Sequence, residues 1–472
     1  MAKRPPRLPS NPSPPKASAV LTPPSADSPA EPTGPISREH LQLVESDGSA
    51  GRAWKAERAQ RRTERIRKIW DFFEGGNPYT NYWLVLGATL ALAAVGLTMV
   101  LSSTSVDADG QAFTTATRQA VWAMIGLVGM VTITYVPTRW LGTIGWILML
   151  VSGVLLILVA LSPLGHTAGG STNWIRIGPV QGQPSELAKL ALVLWGAAVL
   201  ARKGSLIKHF THWMMPFVAP GALAVLVLVL AGGDLGTSII IIVLVGAMLF
   251  AAGVAMRYFL AAAAFAAVAV AALMWITPYR MMRVYAWLGL NCDLPEEPCY
   301  QTQQGFYALA SGGFWGVGLG QSRQKWAYIP EVENDFIFTI IGEELGLLGT
   351  CLVLGLFAVL VVGVFRIAAA SSDRFVKFVC MGIVAWLVGQ AFINIAMVTG
   401  IIPVVGVPLP FISYGGSALT CAMIAVGVVL NFARRQRIEA TAGTRGKRGS
   451  AKRSTLTAPK KSAQRSRRTP TQ

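Results

Sequence analysis

Ten apolar runs of about 17–25 residues, each long enough to cross a bilayer as a helix, fill the chain between residues 80 and 433. They lie near 82–102, 118–136, 140–162, 185–201, 214–231, 236–256, 259–277, 335–363, 375–398 and 412–433. The fold class this predicts is an all-α polytopic membrane protein of about ten transmembrane helices, with a long loop (277–334) between the seventh and eighth. Composition agrees. Of 472 residues 53% are hydrophobic and 14% charged, whereas soluble domains carry about 25% charged residues.

The net charge of +18 belongs to the ends of the chain. Residues 1–78 hold 13 Lys/Arg against 9 Asp/Glu, and residues 434–472 hold 13 against 1. The organisation expected is therefore a cytoplasmic N-terminal tail (1–78), a membrane domain (79–433) and a basic, disordered cytoplasmic C-terminal tail (434–472). Residues 1–50 are Pro/Ser-rich without apolar periodicity and read as disordered. Residues 52–72 read either as a basic amphipathic helix, with Trp54, Ile66, Ile69 and Trp70 toward lipid, or as a solvated charge run. The basic tails suit anionic lipid or acidic protein segments. No nucleic-acid partner is expected, because the body itself is nearly neutral. With no early apolar core, no cleaved signal peptide is expected.

Orientation follows the Lys/Arg of the short loops. Arg139, then Arg202, Lys203 and Lys208, then Arg257, then Arg366, Arg374 and Lys377 alternate with acids at Asp107, Asp109, Asp293, Glu296, Glu297, Glu331 and Glu333. The first set marks the cytoplasmic face and puts both termini inside. Two outer loops break the rule. One holds Arg176; the other holds Arg280, Arg283, Arg323 and Lys325. An anionic substrate at that face would favour them, as would pairing with the loop's own acids. Cys292 and Cys299 share the longer loop, where an oxidising compartment would let them close a small disulfide hairpin; two free thiols are the alternative. In FYALASGGFWGVGLG the spacing suggests a short helix followed by a glycine-permitted turn.

Ionisable side chains inside spans are costly and mark function. Glu186 and Lys189 stand three apart on one helix face, and Asp234 stands at a break between spans. Asp335 opens the eighth span, with Glu343 and Glu344 inside it. At 1.5 Å per residue Glu343 lies about 12 Å below Asp335, and Glu344 points nearly opposite to it. Asp335 is then the acid a substrate can reach, and Glu343 and Glu344 are internal pairing groups. Lys189 is the natural cationic partner for Asp335, either to poise a base or as a structural ion pair. Ser413, Tyr414, Gly415, Gly416 and Ser417 offer hydroxyls and backbone N–H groups where the last span begins. Four histidines (His40, His166, His209, His212) show no zinc spacing.

The segments GLGQSRQKWAYIPEVENDFIFTIIGEELG, QPSELAKLA, GDLGT and PLPFISYGGSA, in that membrane frame, resemble the signatures of the SEDS family of bacterial wall polymerases. The resemblance covers about residues 80–435. It implies an inverting peptidoglycan glycosyltransferase that polymerises lipid II at the outer leaflet. Asp335 falls on the family's essential aspartate, and Glu186, Lys189 and Asp234 on its other intramembrane charges. Two departures stand out: Glu333 where a His is common, and Gly232-Gly233 where Gln-Pro is common. In this reading Asp335 is the general base. Lys189, Glu186, Arg280, Arg283, Arg323, Lys325, Ser413, Gly415 and Gly416 hold substrate, while Asp234, Glu343, Glu344 and Arg176 line or brace the cavity. A divalent cation such as Mg2+ would assist at the pyrophosphate. The implied partners are a class B penicillin-binding protein transpeptidase and other divisome proteins. The tails and the QKWAYIPE spelling suggest the septal, actinobacterial branch rather than the elongation branch. A lipid II flippase and a non-catalytic divisome scaffold remain as rival readings.

Overall fold

The computed structural model describes residues 77–104, 112–162, 165–168, 171–178, 180–276, 298–325 and 332–456, with short pieces at 57–58, 61, 64, 281, 284–285 and 287–290. It divides into two compact units, Met1–Arg67 and Lys68–Gln472. In the first, Glu57, Arg58, Arg61 and Glu64 are helical, and Arg61 pairs with Glu57 at 2.6 Å across one turn. The tryptophans and isoleucines expected to face lipid there lie outside the described residues, as do 1–50.

The second unit is a bundle. Its helices are α1 (Pro78–Ser103), α2 (Ala112–Tyr135), α3 (Thr138–Leu161) and α4 (Pro184–Lys203). An α5 region (Phe210–Ala231) follows, then α6 (Leu235–Ala251), α7 (Met256–Ile276), α8 (Pro298–Gly312), α9 (Ile337–Ala369), α10 (Arg374–Val398) and α11 (Gly416–Leu456). Apart from α8, these fall on the ten expected spans. Among the described residues eight are long and apolar enough to cross a membrane, while α6 and the apolar part of α7 (Met256–Val268) are shorter. At 1.5 Å per residue the 17 residues of α6 still reach about 26 Å, close to a ~30 Å hydrocarbon core.

Local chemistry sets the helix starts. Asn77 Oδ1 accepts from Tyr79 N ahead of Pro78 in α1, and Asp373 Oδ1 accepts from Phe375 N in α10. In α4 Pro184 occupies the first turn with Glu186, and Arg202 and Lys203 close the last, each charge complementing the helix dipole. The interior of the bundle is formed by α4, α10 and the first part of α11, buried along most of their length. By contrast α2 and α3 turn Met124, Val128, Ile147, Leu150 and Val154 outward, the surface a lipid environment would cover. Helix α3 packs on α4 through Gly145, where a Cβ would come within 2.7 Å of Trp195 N.

Three details differ from the sequence reading and one agrees with it. The loop carrying Arg176 is a three-stranded antiparallel sheet, β1 (Gly165–Ala168), β2 (Ser171–Ile177) and β3 (Val180–Gly182), in order β1-β2-β3. The long loop contains α8, which ends in the FYALASG stretch and is followed by Gly313 (φ +54°), as the sequence reading has it. Helix α9 starts at Ile337, so Asp335 sits in the turn before it and the helical-wheel argument from that residue does not apply. Finally, α11 continues through 434–456, where a disordered tail was expected; that stretch has no proline before Pro459 and an i,i+4 pair, Arg435 to Glu439 at 2.9 Å.

Candidate active site

Residues 332–336 form a turn at one end of the bundle. Val332 and Phe336 are buried, anchoring the turn, while Glu333, Asn334 and Asp335 stay half-buried at its lip. The backbone of this turn is held from two sides. Asn394 Nδ2 donates to Asp335 O at 2.9 Å, and Tyr414 N donates to Glu333 O at 2.9 Å. Across from the Asp335 carboxylate is Gly406, whose φ of +73° favours glycine and where a Cβ would lie 3.3 Å from Asp335 Oδ2.

The Pro/Gly-rich segment 399–415 is irregular backbone packed among helices, so its polar groups need partners. Two amides of α10 provide them. Gln390 Nε2 donates to Pro408 O at 2.9 Å, and Asn394 Nδ2 donates to Val407 O at 2.6 Å. Gln390 Oε1 in turn accepts from Trp386 Nε1 at 3.1 Å and from Lys189 Nζ at 2.8 Å. Lys189 also pairs with Glu186 at 2.8 Å and lies 5.2 Å from the Trp386 ring centre. The buried lysine thus reaches Glu186 and Gln390, where the sequence reading paired it with Asp335. Its link to the lip runs through Gln390, the 407–408 carbonyls and Asn394. Sequence reasoning missed Gln390 and Asn394; their signal was two amides four apart, one face of a helix, in the apolar run GQAFINIAM. Beside Gln390 and Pro408 is a cavity of about 10 Å³, room for about one water and no sugar.

Glu343 and Glu344 brace the loop, in line with expectation. Glu343 accepts from Ser322 Oγ at 2.5 Å and Arg323 N at 3.0 Å. Glu344 accepts from Ser102 Oγ at 2.7 and 2.8 Å and faces Lys325 Nζ at 3.9 Å. Lys325 also donates to Gly320 O at 2.5 Å and is buried. Its charge is therefore satisfied internally, which corrects its assignment to substrate. Directly after the two glutamates α9 breaks at Gly346 (φ +66°). The break frees backbone groups, and the segment after α8 takes them up: Val317 N and Gly318 N donate to Glu343 O and Glu344 O, and Leu347 N and Leu348 N donate to Gly313 O and Phe314 O, at 2.9–3.4 Å.

The remaining expected residues divide. Asp234 caps α6 through Thr237 N at 2.8 Å and accepts from Gln183 Nε2 at 3.0 Å. The neighbouring Gly232 passes so close to Asn173 of β2 that a Cβ would strike its side chain, which accounts for glycine there. Ser413 is a buried turn clamp, its Oγ accepting from Leu409 N at 2.7 Å, and Gly415 N donates to Gln119 Oε1 at 3.4 Å. Gly416 packs on the Trp122 ring. These three brace the turn, and Ser413 is too buried to meet substrate. Arg176 is exposed on β2 opposite Gln181, and Arg323 is exposed. Arg280, Arg283, Cys292 and the Cys299 side chain lie outside the described residues. Among the described residues no three His, Cys, Asp or Glu side chains form a metal-holding group.

The arrangement is that of an integral membrane protein with a reachable acid set above a buried polar clamp. The chain belongs to the FtsW/RodA/SpoVE family of cell cycle proteins, which it matches over residues 80–438. It is 37% identical over 364 residues to the probable peptidoglycan glycosyltransferase FtsW of Mycobacterium tuberculosis, covering 76% of this chain and 69% of that protein. To stage V sporulation protein E of Bacillus subtilis it is 39% identical over 357 residues, 75% and 97% of the two chains. Among solved structures it is similar to a chain of a peptidoglycan synthase complex described as coordinating polymerization and crosslinking (TM-score 0.62, 27% identity, 75% and 97% covered). It is also similar to the rod shape determining protein RodA of Thermus thermophilus (TM-score 0.55, 26% identity, 75% and 96% covered).

Proposed function

We propose that this chain is a peptidoglycan glycosyltransferase that polymerises lipid II at the outer leaflet during septal wall synthesis, with Asp335 as general base. The observation that carries the reading is a contrast among acids at one end of the bundle. Glu186, Asp234, Glu343 and Glu344 are buried inside the protein, while Asp335, with Glu333 beside it, is only half-buried on a braced turn. The names of the relatives support the reaction class.

In the reaction, the 4-hydroxyl oxygen of an acceptor GlcNAc attacks the anomeric carbon of the donor MurNAc. The bond from that carbon to the pyrophosphate oxygen breaks, configuration inverts, and the hydroxyl proton passes to the Asp335 carboxylate. A positioned base contributes about 10²–10⁴-fold. Among the described residues Arg323, like Arg118 and Arg176, is an exposed cation at this end, and it is the one on the loop that leads to Asp335, suited to the leaving pyrophosphate; Arg280 and Arg283 are assigned the same task from the sequence. Mg2+ is commonly held by one or two carboxylates plus substrate phosphates, a donor set Glu333 and Asp335 fit. Its chemistry when bound would be charge neutralisation at the pyrophosphate.

The flippase reading needs a charged path open at both ends. The described buried charges (Glu186, Lys189, Asp234, Lys325, Glu343, Glu344) gather at the acidic end, which favours a polymerase. We assign a class B transpeptidase as partner on the likeness to the synthase complex, and the inside position of both termini on loop charge. The test is polymerisation of labelled lipid II by the purified chain with its transpeptidase. Glycan ladders from wild type but not from Asp335→Asn are expected. Ladders from both would remove Asp335 as base, and ladders from neither, with the complex intact, would remove the polymerase reading.

A further inference from the structure

At the end of the bundle opposite the acidic lip, α11 meets the start of α1 and the end of α2. Arg434, Arg437, Ile438 and Thr441 share one stripe of α11, at spacings of three and four. With Tyr79, Tyr82 and Tyr135 they line an open cavity of about 740 Å³ whose lining holds no acid among the described residues. The Arg434 guanidinium lies 4.4 Å from the Tyr135 ring centre, and that of Arg437 lies 4.6 and 4.9 Å from those of Tyr79 and Tyr82. Stacking fixes the planes of both groups and leaves their N–H edges available. Neither has a hydrogen-bond or ion-pair partner among the described residues, in contrast to Arg435, which pairs with Glu439 and donates to Thr138 Oγ1 at 2.9 Å. The helix carrying them is fixed in place by Gln436 Nε2 on Ile367 O at 2.8 Å and by Tyr79 OH with Thr441 Oγ1 at 2.8 Å.

We propose that this cavity binds the phosphate headgroup of an anionic membrane lipid. Two preoriented guanidinium forks without a carboxylate match a phosphate in charge and geometry. Tyrosines at a helix end sit at headgroup level, each with an apolar body and a polar tip. Exposed Tyr135 and Ile438 belong to the lining, and exposed Trp83 follows Tyr82 on α1; a free anion has no use for such apolar walls. The expected orientation puts this end in the cytoplasmic leaflet, whose negative surface draws basic groups at about 1 kcal/mol each.

The test titrates the purified full chain in neutral detergent with dioctanoyl phosphatidylglycerol, the matching phosphatidylcholine and inorganic phosphate, counting bound molecules by native mass spectrometry. Phosphatidylglycerol should bind at least tenfold better than phosphatidylcholine, and Arg434→Gln with Arg437→Gln should abolish that preference. Arg257→Gln, which removes another arginine stacked on a tyrosine (4.9 Å from Tyr258), should leave it intact. A paired Arg→Lys variant keeps the charge and should retain part of the binding, so the comparison survives if the glutamine pair fails to fold. Equal phosphatidylglycerol binding by wild type and a folded glutamine variant would overturn the site. Displacement of the lipid by equimolar inorganic phosphate, or preference for an acidic peptide over lipid, would overturn the lipid assignment.

Discussion

At the acidic end of the bundle, Glu186, Lys189, Gln390, Asn394, Glu343 and Glu344 are buried, and each holds an opposite charge or a stray backbone group of an interrupted element. At the far end, Arg434, Arg435 and Arg437 decorate a continuous helix and remain at or near its surface. The first arrangement uses polar groups to replace missing helix hydrogen bonds; the second only dresses a helix that is complete without them. An acid such as Asp335 can be positioned by the first kind of construction because the turn beneath it is tied down at several points.

The largest expected effect separates chemistry from framework. Asp335→Asn should lower lipid II polymerisation by about 10²–10⁴-fold while the thermal unfolding midpoint in detergent stays put; a large drop in that midpoint would make Asp335 part of the framework instead. Next comes Lys189→Met. It strands a buried glutamate and should destabilise by about 3–5 kcal/mol, whereas the double change Glu186→Leu with Lys189→Met should cost much less. Equal losses from single and double variants would show that the pair is not the unit. Smaller again is Gly312→Ala, whose Cβ would run into Gly342 O and should cost about 1–3 kcal/mol by overpacking, read from the same unfolding curves. Smallest is Arg435→Ala at the far end, an exposed pair worth about 0.2–1 kcal/mol. A loss there as large as that at Lys189 would erase the contrast between the two ends.

The membrane helices, eight of them long and apolar enough to span among the described residues, were legible because bilayer thickness imposes a length that a hydropathy pattern cannot hide. The internal pairing of Glu343 and Glu344 was legible too, since charges in hydrocarbon need partners. The partner of Lys189 was not. Gln390 lies 201 residues away, and no local rule joins α4 to α10. The sheet at 165–182 was missed although Gly178 and Pro179 separate two short runs in the manner of a hairpin, a turn signal passed over beside the charge of Arg176. Lys325 was counted as a substrate cation because its outward loop was visible and the acid folded beneath it was not.

The junction at Gly346 also limits how the chain can change length. Segment 313–318 and segment 343–348 are laced by four backbone hydrogen bonds running in both directions, so neither can gain or lose a residue alone without unthreading the other. An insertion between Gly313 and Gly318 has to be matched by one beside Gly346. The chain between the two laced segments starts and ends at that lacing, and its described residues include Ser322, Arg323 and Asp335. Grafts that vary the lip should therefore be cut between those two segments.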